Sequence, residues 1–134
     1  SHIAVGLDLT DRAAQREARP EGLPWARSKA FRGAARIGGL VPWAKDVAGL
    51  NTSGLQLELR IDDEVRQSAR VDAMSIAPAA LLHDLRGWAP LTAGDVVFTG
   101  TPSGVGRLHP GQAVVAVLRD AEDAVLSRLD LRCV

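Results

Sequence analysis

The 134-residue sequence has a single cysteine, no excess of either charge and no long apolar run. One thiol, Cys133, excludes an internal disulfide framework and a multi-cysteine metal centre. A reducing, cytoplasmic setting is the expectation, and Cys133 itself reads as an ordinary strand or tail thiol rather than a nucleophile. Sixteen basic residues balance sixteen acidic ones, so no net field draws the chain to nucleic acid or to an anionic membrane. The longest apolar stretches, residues 76–82 and 113–118, fall well short of the about 20 residues that a membrane span requires. A soluble protein with no nucleic-acid or membrane partner is expected. Repeats and low-complexity linkers are missing too, so residues 1–134 are expected to form one domain, of a size that buries roughly two thirds of its unfolded surface. Residues 1–10 lack the charged start and apolar stretch of a secretory signal. Ile3-Ala4-Val5-Gly6-Leu7 reads instead as the middle of a buried strand, and further sequence is expected to precede it.

What is present alternates between strand and helix signals. Residues 3–9 form an apolar strand that ends near Asp8, and Thr10 or Asp11 can cap a helix over residues 12–19, which are rich in Ala, Gln, Glu and Arg. Pro20 and Gly22 stop that helix. Residues 23–39 show no periodicity and read as an irregular, functionally shaped segment. Leu55-Gln56-Leu57-Glu58-Leu59-Arg60-Ile61 alternates apolar and polar, the period of a strand with one wet face. Asp62-Asp63-Glu64 turns the chain, and residues 65–69 return as the second arm of a hairpin. Ile76, Ala79, Ala80, Leu82 and Leu85 recur at helical spacing, which predicts an amphipathic helix over residues 76–88 with Pro78 in its first turn. Residues 96–99, 113–118 and 125–131 read as strands. The whole is an α+β, β-rich fold with two short helices and a mixed or antiparallel sheet curling on itself.

Three segments carry residues that chemistry needs. In Asp8-Leu9-Thr10-Asp11-Arg12, a carboxylate at a strand end is a candidate ligand for a hard divalent cation such as Mg²⁺ or Mn²⁺. Helix capping by Asp8 or Asp11 is the alternative, and the residues alone favour it. In Leu23-Pro24-Trp25-Ala26-Arg27-Ser28-Lys29-Ala30-Phe31, Lys29 is either a partly buried cation that holds an anion or exchanges a proton, or a surface lysine lying past Phe31. In residues 91–106, Gly100, Gly104 and Gly106 permit tight turns whose amides, with the Thr101 hydroxyl, can grip carboxylate or enolate oxygens. A purely structural turn is the competing reading. The glycines do not make a dinucleotide fingerprint, because no helix opens after Phe98, and Pro102 and Pro110 interrupt the segment. His2, His83 and His109 read as strand, helix and loop residues with no acid–base role.

These segments, in this order and spacing, resemble the fumarylacetoacetate hydrolase family, particularly small members such as acylpyruvases and oxaloacetate decarboxylases. The likeness covers residues 3–117 and is carried by Asp8-Leu9-Thr10 with Arg12 and Gln15, by Leu23-Pro24-Trp25 with Lys29 and Phe31, by Arg66-Gln67 with Met74, and by Gly94-Asp95 through Thr99-Gly100-Thr101-Pro102 to Gly106. The resemblance implies the β-rich roll or sandwich of that family, a homodimer, and one divalent cation, Mg²⁺ or Mn²⁺, held by three carboxylates. The third of these matches Asp8. It also implies a catalytic and substrate-binding role for Lys29 and substrate contacts from Arg12, Gln15 and Thr101. The implied activity is metal-dependent C–C bond hydrolysis, decarboxylation or isomerisation of small 2-oxo acids through a stabilised enolate.

The family's Glu-x-Glu ligand pair belongs well upstream of Asp8, and only seven residues precede Asp8 here. The histidine and glutamate that several relatives use to activate water or substrate also belong upstream. Within the matched region, Ala13 and Gln112 stand where aspartates are usual and Val71 where a threonine is, changes that bear on substrate contacts and local turn hydrogen bonds. The rival to an enzyme is therefore a truncated or degenerate module of the same fold that serves dimerisation or binding.

Overall fold

The structure, a computed structural model, describes residues 1–43 and 51–134. In chain order its elements are β1 (His2–Ile3), β2 (Gly6–Asp8), α1 (Arg12–Ala18), α2 (Ala26–Lys29), β3 (Ala35–Ile37) and β4 (Val41–Pro42). There follow β5 (Gln56–Ile61), β6 (Glu64–Arg70), a 3-10 turn (Val71–Ala73), α3 (Pro78–Arg86), β7 (Ala113–Arg119) and β8 (Val125–Arg132). The β-rich α+β architecture is as expected, and every strand pair among the described residues is antiparallel. No helix among them is long and apolar enough to cross a membrane.

The main sheet runs β6-β5-β7-β8. Its hairpin turns at Asp62 and Asp63, whose positive φ values of 49° and 67° suit a two-residue turn that matches strand twist. The Asp62 carboxylate also accepts hydrogen bonds from Ala113 N (2.9 Å) and Gln112 Nε2 (3.1 Å), tying the turn to the start of β7. Gln112 Oε1 accepts in turn from His109 N at 2.8 Å. The glutamine thus supplies the local turn hydrogen bonds that the loss of an aspartate at this position put at issue. β7 reads Ala-Val-Val-Ala-Val-Leu because it is the strand whose side chains are most fully enclosed. Ala116 and Leu118 join Val5 and Leu55 as the buried core, and Leu7, Leu57, Leu59 and Leu129 pack around them.

The expected single strand over residues 3–9 is divided. β1 pairs with β4 and β2 with β3, and the break falls at Val5. There the backbone turns to a different partner: Val5 N donates to Ser127 Oγ (3.1 Å), while Val5 O accepts from Gly38 N (2.9 Å). The same Ser127 hydroxyl donates to Gly39 O at 2.7 Å. Gly38 lies so close to β8 that a Cβ there would come within 2.7 Å of Arg128 O, which is why a glycine is required. This seam covers one edge of the sheet, where unpaired strand groups would otherwise be exposed.

Three further expectations are corrected. The segment read as irregular, residues 23–39, contains the one-turn helix α2 and strand β3, so the described residues have three helices rather than two. The helix read over residues 76–88 is shorter, Pro78–Arg86, with Pro78 in its opening turn as expected. Residues 96–99 are not a strand, because no neighbouring strand offers them a ladder. Phe98 instead lays its ring on β2, where a Cβ at Gly6 would meet Phe98 Cε1 at 2.8 Å.

Two exposed aspartates lie below the usual carboxylate range, Asp72 through its hydrogen bonds with Arg70 and Asp130 through those with Arg128. Because the folded state lowers both values, the stability these pairs contribute is present above the ordinary carboxylate range and is lost as pH falls through the folded values. Ser127, 2% exposed, holds two backbone groups at the seam. Ser127→Ala is expected to lower the unfolding free energy by about 1–3 kcal/mol, read from the urea midpoint at constant m-value. A loss under about 0.5 kcal/mol would show that the seam does not depend on this hydroxyl.

Candidate functional site

β2 delivers Asp8, and two backbone hydrogen bonds beyond the strand bring Lys29 to it. Leu9 N donates to Ala34 O (2.8 Å), extending the β2–β3 ladder, and Asp11 N donates to Ser28 O (3.0 Å). Ser28, 1% exposed, is itself fixed by its hydroxyl donating to Trp25 O at 2.8 Å. Lys29 follows Ser28 and donates from Nζ to Asp8 Oδ2 at 2.7 Å across 21 residues of sequence. Both side chains are about one third exposed. Lys29 is thus neither deeply buried nor a lysine lying free on the surface.

The cap of α1 is Asp11, whose Oδ1 accepts from Ala13 N (2.9 Å) and Ala14 N (3.1 Å). That leaves Asp8 out of the capping role. On α1, Arg12 Nη1 donates to Gln15 Oε1 at 2.8 Å, one turn apart and exposed to solvent. Asp8 and Thr101 line one cavity of about 110 Å³, together with Gln67 of β6 and apolar side chains including Leu57, Leu59 and Ile61. Arg12, Gln15 and Lys29 do not line it; Lys29 reaches it only through Asp8, and the Arg12–Gln15 pair stands on the helix that leaves the site.

The glycine turn meets the sheet at β6. Gln67 Nε2 donates to Pro102 O at 3.0 Å, and a Cβ at Gly104 would lie 1.9 Å from Arg66 O. Gln67 had no role assigned from sequence. Its signal was nonetheless present, since it shares the inward phase of β6 with Ala69 and pairs with Leu59, a position where a strand would otherwise carry an apolar residue.

A divalent cation needs more donors than this site holds. Among the described residues no three His, Cys, Asp or Glu side chains converge, and Asp8 is the one carboxylate at the cavity. A lone carboxylate, already paired with an ammonium, does not by itself retain Mg²⁺ or Mn²⁺. His2 on β1, His83 on α3 and His109 in the loop before β7 lie on separate elements, as read from the sequence.

Comparison with known proteins gives the family. Residues 1–127 match the fumarylacetoacetate (FAA) hydrolase C-terminal family, and the chain belongs to it. A mitochondrial oxaloacetate tautomerase of Oryza sativa subsp. japonica is 39% identical over 113 residues, covering 84% of this chain and 49% of the relative. A crystal structure of a yeast fumarylacetoacetate hydrolase family protein superposes with a TM-score of 0.89 at 30% identity, covering 99% of this chain and 54% of that one. A fumarylpyruvate hydrolase of Pseudomonas aeruginosa, solved with Mn²⁺ and pyruvate, gives a TM-score of 0.82 at 34% identity, with 99% and 54% covered. The chain spans about half the length of the curated relatives it matches. The cytoplasmic expectation is corrected: similar oxaloacetate tautomerases of rice, Caenorhabditis elegans and Saccharomyces cerevisiae are named mitochondrial. A shortage of cysteine argues against oxidising compartments and cannot choose among the others.

An ion pair as open to solvent as Asp8–Lys29, about one third exposed, adds little to folding. A double-mutant cycle with Asp8→Asn and Lys29→Met, followed by chemical unfolding, is expected to give a coupling of about 0.2–1 kcal/mol. A coupling of about 3 kcal/mol or more would identify a structural pair instead.

Proposed function

We propose that this chain carries part of the active site of an enzyme that acts on small 2-oxo acids, by tautomerisation, decarboxylation or hydrolysis of a C–C bond through an enolate. The observation that carries the reading is the 2.7 Å pair of Lys29 Nζ and Asp8 Oδ2 at the edge of the cavity that Thr101 also lines. An enolate places negative charge on the former keto oxygen. Lys29 is a cation held in one direction by Asp8 at the edge of the cavity, placed to act on such a charge. Thr101 offers a hydroxyl donor for a substrate carboxylate, and Arg12, with Gln15 steadying its guanidinium, offers a second cation for an acidic substrate. For the whole protein we assign Mg²⁺ or Mn²⁺ as the cofactor, with Asp8 as one ligand and the others outside the described residues. The pyruvate and Mn²⁺ held by the Pseudomonas aeruginosa relative support that class of substrate and of metal.

The test is turnover by the natural full-length protein supplied with Mn²⁺ or Mg²⁺, using enol-oxaloacetate, oxaloacetate and a 3-acylpyruvate as substrates. Lys29→Met is expected to lower kcat/KM about 10²–10³-fold on whichever is processed. A wild-type protein inert towards all three, while folded and metal-supplied, would favour the non-catalytic module of the same fold.

A further inference from the structure

Arg66, Gln67 and Met74 belong to one sequence motif; the first two touch the glycine turn and Met74 lies near its start. Gln67 is 8% exposed and donates from Nε2 to Pro102 O at 3.0 Å. A carbonyl only accepts, so the amide nitrogen must face Pro102, and the orientation of the Gln67 side chain is set. Gly104, at φ +96°, lies against Arg66 so closely that a Cβ would be 1.9 Å from its carbonyl oxygen. On the other flank, a Cβ at Gly100 would stand 3.5 Å from Met74 Cε. Thr101 is therefore followed directly by an anchored neighbour, Pro102 held by Gln67, with Gly104 pressed against Arg66 two residues further on.

Residues 96–108 belong to no strand or helix, so backbone pairing does not hold this segment in place. A buried amide opposite Leu59 is costly unless it is hydrogen-bonded, and an apolar residue would serve the sheet better. The sheet alone does not account for a glutamine here; the turn does.

We propose that Gln67 is a positioning residue: by holding the Pro102 carbonyl it sets where the Thr101 hydroxyl stands over the cavity that Asp8 lines. The proposal deepens the reading of that cavity as a 2-oxo acid site and rests on it for its kinetic consequence, though not for its structural one.

Gln67→Met keeps length and packing and removes the donor; Gln67→Glu, measured at a pH where the carboxylate is ionised, keeps the shape and sets an acceptor against the carbonyl. In the full-length protein, with the fold checked by circular dichroism, amide order parameters at Thr101 and Ser103 are expected to fall from about 0.85 to below about 0.6, while β5 and β7 are unchanged. For the 2-oxo acid substrate, KM is expected to rise about tenfold with kcat within about threefold. Added to Thr101→Val, Gln67→Met is expected to change KM less than about twofold, because its effect runs through that hydroxyl. Unchanged order parameters in either folded variant overturn the proposal, as does a KM effect that adds in full to that of Thr101→Val. Should Gln67→Met fail to fold, Gln67→Glu carries the same measurements. A wild-type protein without activity refutes the functional reading alone, since the order parameters decide the positioning role by themselves.

Discussion

Two backbone hydrogen bonds, Leu9 N to Ala34 O and Asp11 N to Ser28 O, make this site. They close the loop of residues 9–34 onto its own beginning, and Lys29 is inside that loop. Without them the ammonium would be a mobile side chain on a surface segment. With them it arrives within 2.7 Å of a carboxylate at a strand end. Asp11 contributes to both parts, since its backbone N–H joins Ser28 while its carboxylate caps α1 and starts the helix that bears Arg12 and Gln15. One residue therefore orients the cation, the guanidinium and the amide relative to β2.

The division of labour follows from exposure. The core of Val5, Leu55, Ala116 and Leu118 is out of water, and Val5, Leu55 and Leu118 each contribute roughly 1.5–3 kcal/mol by burial. Asp8 and Lys29 are about one third exposed, where water screens their attraction. The fold does not need the pair; the pair needs the fold. In that it differs from Ser28 and Ser127, polar residues that are buried and hydrogen-bonded to backbone carbonyls, where their task is structural.

Local rules made much of the fold legible. The alternation from Leu55 to Ile61 gave β5, the run rich in Ala, Gln, Glu and Arg gave α1, and the apolar stretch at residues 113–118 gave β7, each within a residue or two of its ends. What was illegible depended on distant partners. The break at Val5 is imposed by a serine hydroxyl 122 residues away, and nothing in Ile3-Ala4-Val5-Gly6 announces it. The β-branched run at residues 96–99 has strand composition and no strand to pair with, so propensity lost to topology. The short helix α2 and strand β3 escaped because neither is long enough for a period to register. At the site, resemblance to the family marked Asp8, Lys29 and Thr101, of which the structure joins the first two directly and the first and third through a cavity. Arg12 and Gln15 meet each other instead. Gln67 was legible as part of a motif but not as a contact, since its partner is 35 residues away.

For the glycine turn, a structural role and a functional one looked like alternatives, and the geometry removes the opposition. Gly104 is glycine for a packing reason: no side chain fits between it and the carbonyl of Arg66. Yet packing that close serves no core, because Val105 beside it is 58% exposed and the segment joins no ladder. At Gly104 itself the close approach buries little apolar surface; the apolar anchoring of the segment comes from Phe98 on β2. What the segment holds is Thr101 and a polar rim on a cavity whose far wall is Leu57, Leu59 and Ile61. Such a combination, apolar walls with a few polar groups and a tethered cation at the edge, has the general make-up of a small-molecule site.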